Sequence, residues 1–217
     1  MQVAGPTAAL AGVPAGIQGA GPWLGRRQLF VKFAAEAETA TMFTAAALAQ
    51  EIRRLAARAP YHSLSISGRD PLANAEYLCA MFATEQCPLP VMLDIDGERP
   101  EELRSVLRNL SLLQVTVTGM PTDASLERAA ASIALGSSLS VEHALVLCPN
   151  EQATDAQLLR AVEQAHGASE RVQVVIHPPV GEPIDRDRRW VSLIERAASV
   201  HADVRLMLRI PSPIGMR

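Results

Sequence analysis

"GIQGAGPWLGRRQLFVKFAAEAETATMFT", residues 16–44, decides how the chain is read. Its first half places Gly16, Gly19, Gly21, Pro22 and Gly25 close together, a composition that favours turns over regular structure. That lead runs into QLFVKFA, residues 28–34, an apolar run that predicts a strand. Similar runs return down the chain as HSLSIS (62–67), LPVMLDI (89–95), LLQVTVT (112–118), HALVLC (143–148), RVQVVIH (171–177) and DVRLML (203–208). Between them, apolar residues recur at helical spacing: Leu48, Ile52 and Leu55; Tyr77, Leu78 and Met81; Leu103, Val106, Leu107 and Leu110; Leu126, Ala130 and Ile133; Leu158, Leu159 and Val162; Val191, Ile194 and Ala198. Thr154 and Gln157 have capping-box spacing, and RPEEL carries its acids early, as a helix N-terminus prefers.

Strand and helix in alternation imply parallel strands joined by crossovers, with helices covering at least one face. Two architectures fit: a doubly wound open sheet, or a full or partial α/β barrel. Both put their chemistry at the carboxyl ends of the strands. Those ends carry Ser67, Gly68, Arg69 and Asp70; Asp94, Asp96 and Gly97; Thr118 and Gly119; Cys148, Pro149 and Asn150; and His177, Pro178 and Pro179. Such residues suit a polar ligand mouth, and they equally suit ordinary turns.

With 217 residues and 48% hydrophobic content the chain can bury one large core. A flexible lead is expected over residues 1–12 and a single α/β domain over 13–217. A net charge of −3 offers no basic field for a phosphate backbone, so no nucleic-acid partner is expected. Cys79, Cys87 and Cys148 lack metal-type spacing and read as buried or incidental thiols in a reducing compartment. The N-terminus lacks a secretory pattern, and no run approaches the roughly 18 apolar residues of a membrane span, which predicts a cytoplasmic protein without a membrane partner.

At the rim positions the chain resembles the radical S-adenosylmethionine superfamily, and within it the 7-carboxy-7-deazaguanine synthases of queuosine biosynthesis. GIQGAGPWLGRRQLFVKFA is similar to that family's "QGEGP…GR…FVR" opening, SISGRDPLANAEYL to its "TGGEPL" turn, LDIDG to its "ETNG" and VTVTG to its "VSPK" region. VIHPPVG stands where the family has "QPM", and VRLMLRIPSPIGMR resembles its closing "RxxxQTHK" segment. The resemblance runs from about residue 13 to the end and implies a partial (β/α) barrel with parallel strands.

The family's opening ends in three cysteines that hold a [4Fe–4S] cluster. Aligned on FVKFAA, those cysteines fall on Glu36, Ala40 and Phe43. A cluster needs soft thiolate donors, and neither Ala40 nor Phe43 offers any. The second glycine of the family's turn is Arg69, its acid is shortened to Asp70, and a magnesium-assisting threonine corresponds to Ala45. The resemblance therefore implies loss of both the cluster and S-adenosylmethionine, with no metal and no catalytic residue retained. Gln18, Gly19, Lys32, Ser67, Gly68, Asp70, Asp94, Thr118 and His177 stay as ligand-binding remnants, Lys32 keeping the charge of a substrate-contacting arginine but not its fork.

Three functions are compatible with this pattern. The leading one is a cluster-less pseudoenzyme acting through a protein partner, as a homodimer or a heterodimer with an intact relative. RDRRW (186–190) is a candidate interface stretch, and Trp23, Met42 and Phe43 mark where a vacated cluster site would leave an apolar patch. The second is a purine- or pterin-type binder anchored by Lys32, Ser67 and Asp94. The third is an iron-free enzyme using Asp94, Asp96 and His177 as acid and base.

Overall fold

The computed structural model describes residues 5–35, 39–181 and 188–210. Ten strands and six helices follow one another as β1 (Thr7–Leu10), β2 (Ala15–Ile17), β3 (Arg27–Phe33), β4 (Thr41–Thr44), α1 (Ala45–Ala56), β5 (Ser63–Gly68), α2 (Ala75–Thr84), β6 (Val91–Ile95), α3 (Pro100–Val106), β7 (Leu112–Thr118), α4 (Asp123–Ser138), β8 (Glu142–Cys148), α5 (Asp155–Ala168), β9 (Gln173–Ile176), α6 (Arg188–Ala198) and β10 (Val204–Leu206). All ten strands join one sheet, in the order β10-β9-β8-β7-β6-β5-β3-β1-β4, with β2 also on β3.

From β3 to β10 every pairing is parallel and the order is sequential. A doubly wound sheet reverses its order at a switch point, and this one has no reversal, which removes that alternative. The described sheet is not closed, because β10 pairs only with β9. β1, β2 and β4 pair antiparallel. They correct the expectation of a flexible lead through residue 12: Thr7–Leu10 is a strand with Ala8 and Leu10 buried, since pairing on β3 and β4 supplies what its small residues lack in strand propensity.

Period-two alternation divides each parallel strand between two faces. Leu29, Val31 and Phe33 on β3, Leu64 and Ile66 on β5, Leu93 on β6, and Leu113 and Val115 on β7 join the helix-covered core. The helices bring matching stripes, such as Leu48 and Ile52 on α1 and Leu158 and Val162 on α5. The opposite face is largely polar or small: Gln28 and Lys32, Ser63, Ser65 and Ser67, Asp94, Gln114, Thr116 and Thr118. Gln28, Ser63, Ser65 and Gln114 are buried there. What covers this face is the glycine-rich turn at residues 18–25: Trp23 packs on Met92, Leu112 and Ala144, and Ala20 packs on Val146, Cys148 and Val175.

The capping box at α5 forms as its spacing predicts: Gln157 N–H donates to Thr154 Oγ1 at 3.3 Å, and Thr154 N–H to Gln157 Oε1 at 2.9 Å. In the stretch RDRRW, Trp190 is corrected as an interface anchor. Trp190 is 1% exposed in the core beneath α6, and Arg189 donates to Asp155 Oδ1 and the Ala153 carbonyl, both at 2.7 Å. Amphipathic spacing turns Trp190 inward with Leu193 and Ala197. Residues 186 and 187 lie outside the described residues. Among the described residues no helix is long and apolar enough to cross a membrane.

Candidate functional site

The carboxyl ends of β5, β6 and β7 surround a cleft of about 190 Å³. Ser67, Gly68 and Asp70 line one side, Asp94 and Asp96 the floor and near wall, and Thr116 and Thr118 the other side. Alternation explains the set, because Ser67, Asp94, Thr116 and Thr118 all belong to the polar face of the sheet. Lys32 stands opposite Ser67 in the β3/β5 register.

Asp94 is partly buried and accepts a 2.6 Å hydrogen bond on Oδ1 from the Thr116 hydroxyl. Thr116 in turn accepts one from Gln114 Nε2 at 3.3 Å. Burial pushes the Asp94 carboxyl up to about 6 from 3.8, with a small further push from Asp96. The bonds from Thr116 and Gln114 and the charge of Arg209 pull the other way without overcoming it. Asp94 thus changes protonation close to neutral pH, as an acceptor when ionised and a donor when protonated. Such a group can hold a ligand's N–H edge or move a proton.

Asp70 is differently employed. It sits in left-handed backbone at φ 41°, caps the following turn through Ala73 N–H at 3.1 Å, and pairs with Arg99 Nε at 2.7 Å. It shapes the cleft wall, and its oxygens are already engaged. Gly68 precedes it at φ 105°, where a Cβ would stand 2.6 Å from the backbone nitrogen of Phe33, so only glycine fits that close approach. Asp96 accepts from Glu98 N–H at 3.0 Å, an Asx turn that fixes the loop after β6.

A second hollow of about 470 Å³ adjoins this one at Asp70. Its walls are Ala9, Ala34, Ala35, Ala40 and Ala73, with Arg69 and Asn74 as its other polar members. Ala40 is one of the positions that the resemblance assigns to a cluster ligand, and these walls carry methyl groups where thiolates would be needed. Phe43, the second, is partly buried and packs from β4 onto the core. Glu36, the third, lies outside the described residues. Cys79 is on α2, Cys87 lies before β6 and Cys148 ends β8 on the polar face. Neither Ala40 nor Phe43 offers a donor atom to an iron–sulfur cluster. Among the described residues no group of three or more His, Cys, Asp or Glu is placed to hold a metal ion.

The other expected site residues lie outside the cleft lining. Gln18 is buried and turns its amide onto the Ala20 carbonyl at 2.9 Å, while the Gly19 carbonyl accepts from Ile210 N–H at 3.1 Å. Both hold the covering turn in place. His177 is corrected as a rim residue: it is fully buried, and both ring nitrogens are bonded, to Gly21 N and the Met207 carbonyl. A general base needs an open nitrogen, so the set Asp94, Asp96 and His177 does not assemble. Trp23 lies near the amino ends of β6 and β7, away from Met42 and Phe43, and the three do not form one patch.

Thr116 is the site residue that sequence reasoning missed. Its signal was present in LLQVTVT, where Gln114, Thr116 and Thr118 alternate against Leu113, Val115 and Val117. No protein-family model matches the chain, and no curated protein matches it.

Proposed function

We propose that this chain is a radical-SAM-like partial (β/α) barrel, related to the 7-carboxy-7-deazaguanine synthases, that has given up iron–sulfur chemistry and kept its rim cleft as a small-molecule binding site. The observation that carries the reading is Asp94: a carboxyl near pKa 6, backed by Thr116 and opening on a cleft with Ser67 and Thr118 hydroxyls. A ligand presenting adjacent N–H donors, as the amino-amide edge of a purine or pterin does, satisfies this acceptor-rich floor. At about 190 Å³ the cleft suits one heterocycle and not a dinucleotide. Titration calorimetry of the whole chain against guanine, hypoxanthine and pterin tests it. Binding to at least one, weakened at least tenfold by Asp94→Asn, is expected, and no heat with any of the three ends the reading.

A partner-protein role is the second reading, and one observation favours it. Met42, 63% exposed, stands on β4, which among the described residues is one of the two edge strands of the sheet. An edge strand of Thr, Met, Phe and Thr carries no charge to discourage pairing with another chain. Sedimentation alone, and with an intact cluster-bearing relative, separates the two. A monomer in both cases leaves the cleft as the functional surface.

A further inference from the structure

We propose that His177 is a pH-sensitive clasp, which holds the turn at residues 18–25 across the polar face of the sheet and releases it when the imidazole takes up a second proton. The clasp needs no ligand: three elements meet at this ring. β9 ends at Ile176, and His177 follows it with no solvent exposure. Its Nε2 lies 2.9 Å from Gly21 N, in the turn, and its Nδ1 lies 2.8 Å from the Met207 carbonyl oxygen, just after β10. A carbonyl can only accept and an amide N–H can only donate. Nδ1 therefore carries the hydrogen and Nε2 the lone pair, and the closed arrangement requires a neutral ring of that one tautomer.

A protonated ring has no lone pair for Gly21. Its Nε2–H would then point at the Gly21 N–H, two donors facing each other at a fully buried ring. Small movements do not relieve this, because Gly21 is pressed onto β7 and β8, where even an added Cβ would overlap Gln114 Oε1 and stand 3.2 Å from Val146 Cγ2. Relief comes from the turn lifting away about its base, where Gln18 N–H stays bonded to the Arg26 carbonyl at 2.9 Å; the backbone tie it gives up is Ile210 N–H to the Gly19 carbonyl at 3.1 Å.

The charged and titratable surroundings agree with this. Residues 18–25 contain no charged side chain. β8 contributes Cys148, whose thiol burial keeps protonated, and the segment after β10 contributes Arg209, which acts on the ring, on Cys148 and on Asp94 of β6. Burial holds His177 below its ordinary 6.5, the Met207 bond opposes that and Arg209 adds to it. The open state consequently binds the proton more readily. Closure is tightest above about pH 6.5 and weakens as pH falls, with the opening constant rising by up to about tenfold per pH unit, the limit for one proton.

Hydrogen exchange measured by mass spectrometry between pH 7.5 and 5, corrected for intrinsic exchange, reads this directly. In the native chain the peptide over residues 18–25 should open more as pH falls below 6.5, by up to about tenfold per unit, while peptides from α1 and α4 stay constant. His177→Gln keeps an acceptor for Gly21 and a donor for Met207 without titrating, and its opening constant should be flat. His62→Gln, which removes the titrating ring packed edge-on against Trp23, should leave the rise intact. A flat native profile, or a rise that survives in H177Q or vanishes in H62Q, overturns the proposal. Should H177Q fail to fold, imidazole nitrogen NMR of the native chain decides alone: a neutral Nδ1–H ring at pH 6 supports the clasp, and a protonated ring in the closed state overturns it.

Discussion

Replacing Gly21 by alanine probes how the turn at residues 18–25 is seated. Gly21 has φ 80°, a conformation that costs an L-residue about 1–2 kcal/mol. A Cβ there would also overlap Gln114 Oε1 and lie 2.7 Å from Gln114 Cδ. Gln114 is fully buried and bonded to Thr116, so its amide end has to be displaced within the packed interior and that bond disturbed. Overpacking of this kind adds about 1–3 kcal/mol. Together G21A should destabilise by about 2–5 kcal/mol, a drop in Tm of about 4–20 °C for a chain of this size. Gly25 gives the control: it has the same φ of 80° and nothing within 4 Å of its added Cβ, so G25A should show the conformational cost alone. Urea unfolding of both variants, followed by far-UV circular dichroism, yields the difference. Equal losses in G21A and G25A would refute the close packing of this turn on β7.

Asp94→Asn should stabilise the chain at pH 7.5 by about 1–3 kcal/mol. Its folded value, about 6, lies above its ordinary 3.8, so the native state binds the extra proton; the native carboxyl's contribution is full below pH 4 and is lost as pH rises through 6. Unfolding curves at pH 4 and 7.5 check the sign, and a gain that grows toward pH 4 contradicts it. Phe43→Asp should cost about 2–3 kcal/mol, because Phe43 packs on the core, whereas Met42→Asp on the exposed side of the same strand should stay within about 0.5 kcal/mol. Equal effects in thermal melts would mean that the two β4 faces are misassigned. After anaerobic reconstitution with iron and sulfide, the chain should lack the visible charge-transfer absorption of a [4Fe–4S] centre, and a stoichiometric cluster would overturn the alignment of Ala40 and Phe43 with ligand positions.

The seven parallel strands were legible because each is an apolar run dense enough to declare itself, and the six helices because their apolar residues keep helical spacing. β1, β2 and β4 were not. TAAL, AGI and TMFT are short and built mostly of small residues, and they are strands only because β3 offers an edge for β1 and β2, and β1 offers one for β4. The cleft was legible to the extent that the ends of parallel strands are where ligands bind, which brought in Ser67, Gly68, Asp70, Asp94 and Thr118. His177, Gln18 and Gly19 lie at such ends or in the conspicuous glycine-rich stretch, yet their partners are Gly21, Met207, Ala20 and Ile210. A contact joining residue 21 to residue 177 depends on how far the sheet curls and leaves no local signal in sequence.

The central claim, that Asp94 anchors a donor-bearing heterocycle in the rim cleft, is tested most directly by carbon-13 NMR titration of its carboxyl, with and without the tightest-binding heterocycle. The account predicts a midpoint near 6 in the free chain, moving down on binding because N–H donors favour the ionised form. An Asp94 midpoint near the ordinary 3.8, unmoved by any heterocycle, would contradict it.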